Sequence, residues 1–235
     1  MRLLLEFSPC CSGSFDKLNK HAIQGLIYYY LKGTEFEAIH DSKKFKFFTF
    51  SDIFPIGDFE PGKKKNLLIS SPNKDLISVL YDNFENKRSI RIKNMEFTIT
   101  NLKKFNLKIG NRFITGSPIV LYKDNRSNQY FSFQRDKDLN FFLTRLKENA
   151  LKKYAAFTGE ILEFDENLFD ELVFGKEVCV NDFKDGKPFI IIGTMWKLLM
   201  KSYIPEKYKK FYEFLLDCGL GEKNRLGFGF LNLLL

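Results

Sequence analysis

Apolar side chains alternate with polar ones, or recur at helical spacing, in two successive runs along the chain. In the first run, residues 3–7 predict a strand, and residues 15–32 place an apolar stripe on one face of a helix. The run then continues with strands at 45–50 and 67–70, a helix from 71 to about 84 that starts at Ser71-Pro72, and a strand or hairpin over 90–101. The predicted order of elements is β-α-β-β-α-β.

The second run repeats this order. Its predicted elements are strands at 119–122, 172–180 and 189–193, a helix over 139–154, a turn at 184–187, a helix from about 205 to 216 and a last strand over 228–233. This order is that of the ferredoxin-like domain, which is also the topology of RNA-recognition motifs. We therefore predict an α+β fold with two tandem ferredoxin-like domains, at residues 1–117 and 118–235.

The charge of the chain narrows the class of partner. Its 37 Lys and Arg residues outnumber 29 Asp and Glu residues, which leaves a net charge of +8. Such a basic balance favours a polyanionic partner. Nucleic acid is favoured over lipid, since no apolar stretch reaches the ~18 residues of a membrane span. The first seven residues are too short and too acid-interrupted for a signal peptide, so a cytoplasmic location is expected.

Neither the cysteines nor the carboxylates form a pattern typical of metal ligands. The four cysteines show no C-x-x-C spacing and no neighbouring histidines, so we expect reduced thiols and no zinc site. Asp136 and Asp138 form only an isolated D-x-D pair. We therefore expect neither a metal nor another cofactor.

A glycine-rich segment near the C-terminus, residues 219–229, follows the pattern G-x-G-x5-G-x-G and is called the glycine loop below. Glycines let a backbone approach a ligand closely, and Lys223, Asn224 and Arg225 add donors that suit phosphates. No Gly-Lys-Ser/Thr follows, and Asn224 stands where the third glycine of a dinucleotide fingerprint would fall. The alternative is a plain turn before the last strand. The predicted RNA-binding residues are Gly219, Gly221, Lys223, Asn224, Arg225, Gly227 and Gly229.

Taken together, these features resemble the CRISPR repeat-processing endoribonucleases of the repeat-associated mysterious protein superfamily. Besides the glycine loop, the resemblance rests on Met1-Arg2-Leu3, Gln24-Gly25-Leu26-Ile27-Tyr28, Ile39-His40, the segment 45–51 and Ser117-Pro118-Ile119. It extends over essentially the whole chain. It implies cleavage of precursor CRISPR RNA without metal, in which the ribose 2′-hydroxyl is the nucleophile and the products are a 2′,3′-cyclic phosphate and a 5′-hydroxyl.

The resemblance also assigns the catalytic roles to Tyr28, His40 and Lys46. An imidazole exchanges protons near neutrality because its unperturbed pKa is ~6.5, which suits His40 for proton transfer. Tyr28 lies off the apolar stripe of its helix, so it can face a ligand and orient the 2′-hydroxyl. Lys46 alternates with the phenylalanines on either side and is expected to stabilise charge in the transition state.

Several alternatives remain open from the sequence. His21 lies seven residues before Tyr28 on the same helix face and is the rival to His40. Lys43 and Lys44 are substitutes for Lys46, and Tyr29 and Tyr30 allow a shift of register at Tyr28. The alternative function is a non-catalytic, repeat-RNA-binding subunit of a CRISPR effector complex. The expected partner is CRISPR repeat RNA; other effector subunits and a homodimer stay open.

Overall fold

The computed structural model of the protein describes residues 1–39, 44–184 and 187–234. The chain divides into an N-terminal unit, Met1–Leu107 with Arg225–Gly227, and a C-terminal unit, Lys108–Asn224 with Phe228–Leu235. Three residues of the glycine loop thus group with the N-terminal unit. No helix in the described stretches is both long and apolar enough to cross a membrane.

The N-terminal unit is an antiparallel sheet with two helices. In chain order its elements are β1 (Arg2–Pro9), α1 (Lys20–Leu31), β2 (Thr49–Phe50), β3 (Lys65–Ser70), α2 (Lys74–Glu85), β4 (Ser89–Ile92) and β5 (Met95–Phe105). The strands lie in the order β2-β3-β1-β5-β4. Apart from the edge strand β4, this is a ferredoxin-like sheet, in which the first and third strands of the β-α-β-β-α-β unit are central.

Alternation along β1 and helical spacing along α1 build the core of this unit. Leu3 and Leu5 point into the core, and their partners across the strand pair are Ile69 and Leu67. The buried side chains of α1 are Ile23, Leu26, Ile27, Tyr30 and Leu31. The helix begins after Asn19, whose side chain accepts a hydrogen bond from the Ala22 amide. Because these apolar side chains face the core, the polar side chains of α1 lie on another face of the helix.

The C-terminal unit repeats the topology. Its elements are β6 (Arg112–Thr115), β7 (Tyr122–Asp124), β8 (Gln129–Tyr130), α3 (Phe133–Asp136), α4 (Leu139–Thr158), β9 (Glu171–Lys184), β10 (Lys187–Met200), α5 (Glu206–Cys218) and β11 (Leu231–Leu233). Its main sheet has the order β11-β6-β10-β9, while β7 and β8 pair separately. The predicted α+β class with two ferredoxin-like domains is therefore confirmed.

The first strand of the C-terminal unit differs from the prediction. Residues 119–122 were expected to form it, but Arg112–Thr115 takes this place and pairs with β10 and β11. The Thr115 hydroxyl donates to the Trp196 carbonyl at 3.0 Å and accepts from the Trp196 amide at 2.7 Å, which secures the strand. This strand belongs to the C-terminal unit, which begins at Lys108. The domain boundary after residue 117 stays a prediction.

Two further boundaries differ for local reasons. The strand predicted over 45–50 shrinks to Thr49–Phe50, because Phe47 has a φ of 46° and interrupts the extended backbone. The helix expected to start at Ser71 begins after Asn73, whose side chain accepts from the amides of Asp75 and Leu76. The Ser71 hydroxyl donates instead to the Phe47 carbonyl at 2.7 Å.

Candidate active site

A polar row on α1 faces the part of the glycine loop that belongs to the N-terminal unit. Lys20, Gln24 and Tyr28 are spaced four residues apart, so they share one helix face. The Lys20 ammonium donates to the Gly227 carbonyl at 3.0 Å, and the Gln24 amide donates to the Arg225 carbonyl at 3.1 Å. The helix therefore holds the loop tip beside Tyr28.

The Tyr28 side chain is half-buried, and its ring lies edge-on to Phe48 with centroids 5.9 Å apart. Burial raises the pKa of its hydroxyl, while the charge of Arg225 and hydrogen bonds with Arg225 and Gln24 oppose that rise. The net pKa lies above the usual value, so Tyr28 is a neutral phenol at neutral pH. A predicted catalytic residue and a predicted RNA-binding residue thus lie together.

Lys20 and Asp52 also belong to the site, although the sequence analysis singled out neither residue. The Lys20 ammonium lies 2.5 Å from a carboxylate oxygen of Asp52, and its side chain is largely buried. Lys20 therefore binds a carboxylate and the Gly227 carbonyl together. The i, i+4 spacing of Lys20, Gln24 and Tyr28 is the signal that could have identified Lys20.

Lys46 occupies a different environment from the one predicted. It lies in irregular backbone and not in a strand, so strand alternation does not set its direction. The side chain is buried, with 8% exposure, and its ammonium donates to the carbonyl of Ile39. Ile39 ends the short 3₁₀ turn Glu37–Ile39, directly before His40 in the chain.

The two histidines can be placed only in part. His40, like the alternative Lys43, lies outside the described residues. His21 lies on α1, is half-buried, and precedes Tyr28 by two helical turns. Of the tyrosines that allowed a register shift, Tyr30 is buried in the core, whereas Tyr29 is exposed.

The glycines of the loop are required by its backbone. Gly219, Gly221, Gly227 and Gly229 all have positive φ, between 67° and 83°. A β-carbon on Gly229 would overlap the Leu220 carbonyl oxygen, and one on Gly227 would overlap the Phe50 ring. These four glycines are thus accounted for by local geometry, because other residues adopt positive φ only at a cost.

In the C-terminal unit, a buried lysine braces the same loop. The Lys153 ammonium donates to the carbonyls of Gly219 and Gly221 at 2.7 and 3.0 Å, and to the Asn224 side-chain oxygen at 2.8 Å. The Asn224 amide nitrogen in turn donates to the carbonyls of Leu220 and Phe228, at 2.9 and 3.0 Å. Asn224, predicted as a donor to RNA, is therefore a brace within the loop.

The other polar side chains of the glycine loop are those of Glu222, Lys223 and Arg225, and they differ in their contacts and exposure. Glu222 accepts from the Tyr122 amide at 2.7 Å and from Arg145 at 3.0 Å, and burial raises the pKa of its carboxyl. The Lys223 ammonium lies 5.5 Å from the centroids of the Tyr122 and Tyr130 rings. Arg225 is the exposed member of the three predicted donors.

Metal ligands do not cluster in the described stretches. Across residues 1–39, 44–184 and 187–234, no group of three or more His, Cys, Asp or Glu side chains is arranged to hold a metal ion. The Asp52 carboxylate near Tyr28 is bound to Lys20, and the other polar side chains there, Gln24 and Arg225, are hydrogen-bond donors suited to an anionic ligand.

Comparison with known proteins decides the family. A sequence model described as "CRISPR associated protein Cas6, C-terminal" matches residues 103–233. A relative from Methanocaldococcus jannaschii, CRISPR-associated endoribonuclease Cas6 2, is 50% identical over 238 residues that cover 99% of each chain. The chain belongs to the Cas6 family.

More distant Cas6 proteins match over a similar length. CRISPR-associated endoribonuclease Cas6 from Haloferax mediterranei is 21% identical over 253 residues, covering 99% of this chain and 93% of the relative. A solved structure of CRISPR associated protein Cas6 has a TM-score of 0.73 at 25% identity, covering 100% of this chain and 99% of the other. The family predicted from the sequence is confirmed, and with it the enzyme class, an endoribonuclease.

Proposed function

We propose that this Cas6-family protein cleaves precursor CRISPR RNA within its repeats, by attack of a ribose 2′-hydroxyl on the adjacent phosphate. The products are a 2′,3′-cyclic phosphate and a 5′-hydroxyl. The observation that carries the proposal is the placement of the exposed Arg225 at the polar face of α1, where Gln24, four residues before Tyr28, donates to its carbonyl. The net charge of +8 adds attraction for a polyanion.

Each residue of the proposed active site has a distinct task. The nucleophile belongs to the RNA, so the protein must accept its proton, protonate the leaving 5′-oxygen and offset charge on the phosphorane. The Arg225 guanidinium suits the phosphate oxygens, because its planar array of donors binds them in pairs. The raised pKa of Tyr28 makes it a hydrogen-bond donor that orients the reacting groups, and a poor base.

We assign proton transfer to His40, with His21 as the alternative on α1. The Lys46 ammonium donates to the carbonyl of Ile39, the residue that precedes His40 in the chain. Because the Lys46 ammonium is buried and bound to a carbonyl, Arg225 is the stronger candidate for the cation that stabilises the phosphorane. Lys46 then contributes positive charge from a buried position. We propose that Lys223 and the backbone of the glycine loop bind flanking phosphates.

The test of this function uses end-labelled repeat RNA from the same genome, with purified protein in excess EDTA. A matched RNA carries one 2′-deoxy substitution at the mapped cut. We expect cleavage of the first RNA with a 2′,3′-cyclic phosphate end, and no cleavage of the second. Binding of both RNAs without any cut would contradict the proposal and identify a repeat-binding protein instead.

The role of Arg225 is tested in the same assay. Arg225→Gln should lower the single-turnover cleavage rate by about 100-fold, because it removes a charge-assisted donor from the transition state. Arg126→Gln is the control, since Arg126 is an exposed arginine in the turn between β7 and β8. An equal loss in both variants would mean that bulk charge, and not the placement of Arg225 beside Tyr28, determines the rate.

A further inference from the structure

Lys153 on α4 is a buried charge that the proposed mechanism does not use. Its side chain is 2% exposed, and its three acceptors are two loop carbonyls and the Asn224 side-chain oxygen. Three acceptors within 3.0 Å match the three N–H groups of an ammonium, whereas a neutral amine has only two. The site is thus built for a cation, although burial lowers the pKa of Lys153.

No carboxylate is among these three acceptors. The nearby Cys218 is buried, and burial raises the pKa of its thiol, so it is a neutral neighbour at physiological pH. The positive charge of Lys153 is therefore directed at the carbonyl dipoles of the glycine loop. A buried charge is costly, and these hydrogen bonds, together with the attraction of the Glu222 carboxylate in the loop, offset that cost only while the loop keeps its shape.

Many carbonyl oxygens of the glycine loop accept hydrogen bonds from side chains. Side chains donate hydrogen bonds to six of these carbonyls. Lys153 and Asn224 each donate to two, and Gln24 and Lys20 each donate to one. A bare carbonyl oxygen repels a phosphate, while a carbonyl that accepts a hydrogen bond from a cation presents less negative potential. A loop prepared in this way suits an anionic ligand.

We propose that Lys153 is a positioning residue for RNA cleavage, which holds the glycine loop in the shape that presents Arg225 to the scissile phosphate. The inference rests on the proposed function. Lys153 acts through Asn224, the residue directly before Arg225 in the chain, and it touches neither the RNA nor the reacting atoms. Small displacements of a charge at a reacting centre have large effects on rate, so the loss of Lys153 should affect cleavage more than RNA affinity.

The test compares Lys153→Met with Lys152→Met. Methionine keeps the length of the side chain but removes its charge and donors, and Lys152 is the exposed neighbour on α4. We expect Lys153→Met to lower the single-turnover rate at saturating protein by about 10- to 100-fold, with less than a threefold change in the Kd of 2′-deoxy repeat RNA. Lys152→Met should change neither quantity.

A structural readout separates this inference from the proposed function. In hydrogen exchange, amides of the peptide covering the glycine loop should exchange about tenfold faster in Lys153→Met, while those of β1 and β3 stay unchanged. Unchanged loop exchange would overturn the inference, whether or not the wild-type protein cleaves RNA. Wild-type protein that fails to cut, with faster loop exchange in the variant, would contradict only the proposed function.

Chemical rescue distinguishes positioning from loss of folded protein. Lys153→Ala leaves space for a small amine, so ethylammonium should restore at least part of the rate, and tetramethylammonium at the same ionic strength should not. Rates are compared at equal concentrations of folded protein. A Lys153→Met rate equal to that of the wild type, or equal Lys153→Ala rates with the two cations, would overturn the inference, since tetramethylammonium has no N–H group to donate.

Discussion

α1 and α4 are the first long helices of their ferredoxin-like units, and side chains on both donate hydrogen bonds to carbonyls of the glycine loop. On α1, Lys20 and Gln24 hold the loop beside a half-buried tyrosine and an exposed arginine. On α4, the lysine that binds the loop is buried and has all its donors occupied. The same topological position thus serves two tasks.

Solvent exposure accounts for this difference in task. A side chain that is buried and fully hydrogen-bonded is rigid but unavailable to a ligand, which describes Lys153. Arg225 keeps access to solvent, and therefore to RNA, and it lies beside the half-buried Tyr28, whose hydroxyl oxygen is buried. The comparison predicts that changes in the C-terminal brace lower stability as well as the cleavage rate, whereas changes on the polar face of α1 lower the cleavage rate alone.

The largest effect is expected at Asn224, the centre of the brace. Asn224→Ala removes three hydrogen bonds and leaves the Lys153 ammonium short of an acceptor, so the free energy of unfolding should fall by about 2–4 kcal/mol. Denaturant unfolding measures it, with the exposed Asn125→Ala as a control expected to stay within ~0.5 kcal/mol. Unchanged stability in Asn224→Ala would return Asn224 to the set of ligand-binding residues.

The next effect concerns Tyr28. Tyr28→Phe should lower the single-turnover cleavage rate by about 100-fold, because it removes the hydroxyl proposed to orient the reacting groups. The raised pKa keeps Tyr28 protonated throughout the neutral range, so the ratio of wild-type to variant rates should be constant from about pH 6 to 9. A ratio that changes in step with ionisation in that interval would show that Tyr28 acts as a base.

The smallest effect is expected at Gly25, which is exposed on α1 beside Gln24. A β-carbon there meets no other atom within 4 Å, in contrast to Gly229, where it would overlap a carbonyl oxygen. Gly25→Ala should therefore raise the free energy of unfolding by about 0.5–1 kcal/mol, since alanine is the better helix former. Thermal unfolding measures the gain. An accompanying loss of RNA affinity would show that the RNA backbone passes close to Gly25.

Local periodicity was sufficient to predict most of the elements but not all of their ends. The stripe of α1 and the alternation of β1 are properties of neighbouring residues, so the sequence reveals them directly. The strand Arg112–Thr115 is short, and hydrogen bonds to Trp196, far along the chain, secure it. Its partner cannot be read from its own four residues, which is why the prediction placed the strand at 119–122.

The residues of the candidate site likewise fall into those that the sequence predicted and those that it missed or misplaced. Tyr28, Arg225 and the four glycines were all predicted from the sequence, and within the N-terminal unit the fold places Arg225 beside Tyr28. Lys20 was missed because one lysine in a basic chain looks like any other solvated charge. Lys46 was predicted as an outward-facing strand residue, but a positive φ at Phe47 interrupts the strand.

The sequence by itself determined the fold class, the Cas6 family and the chemical character of the glycine loop, because these depend on spacing, residue type and charge. Only the tertiary structure decided which donors are available. Lys153 and Asn224 carry groups as polar as those of Arg225, yet their hydrogen bonds close the loop on itself. Availability depends on burial and on the acceptors within reach, and both are set by residues far away in the chain.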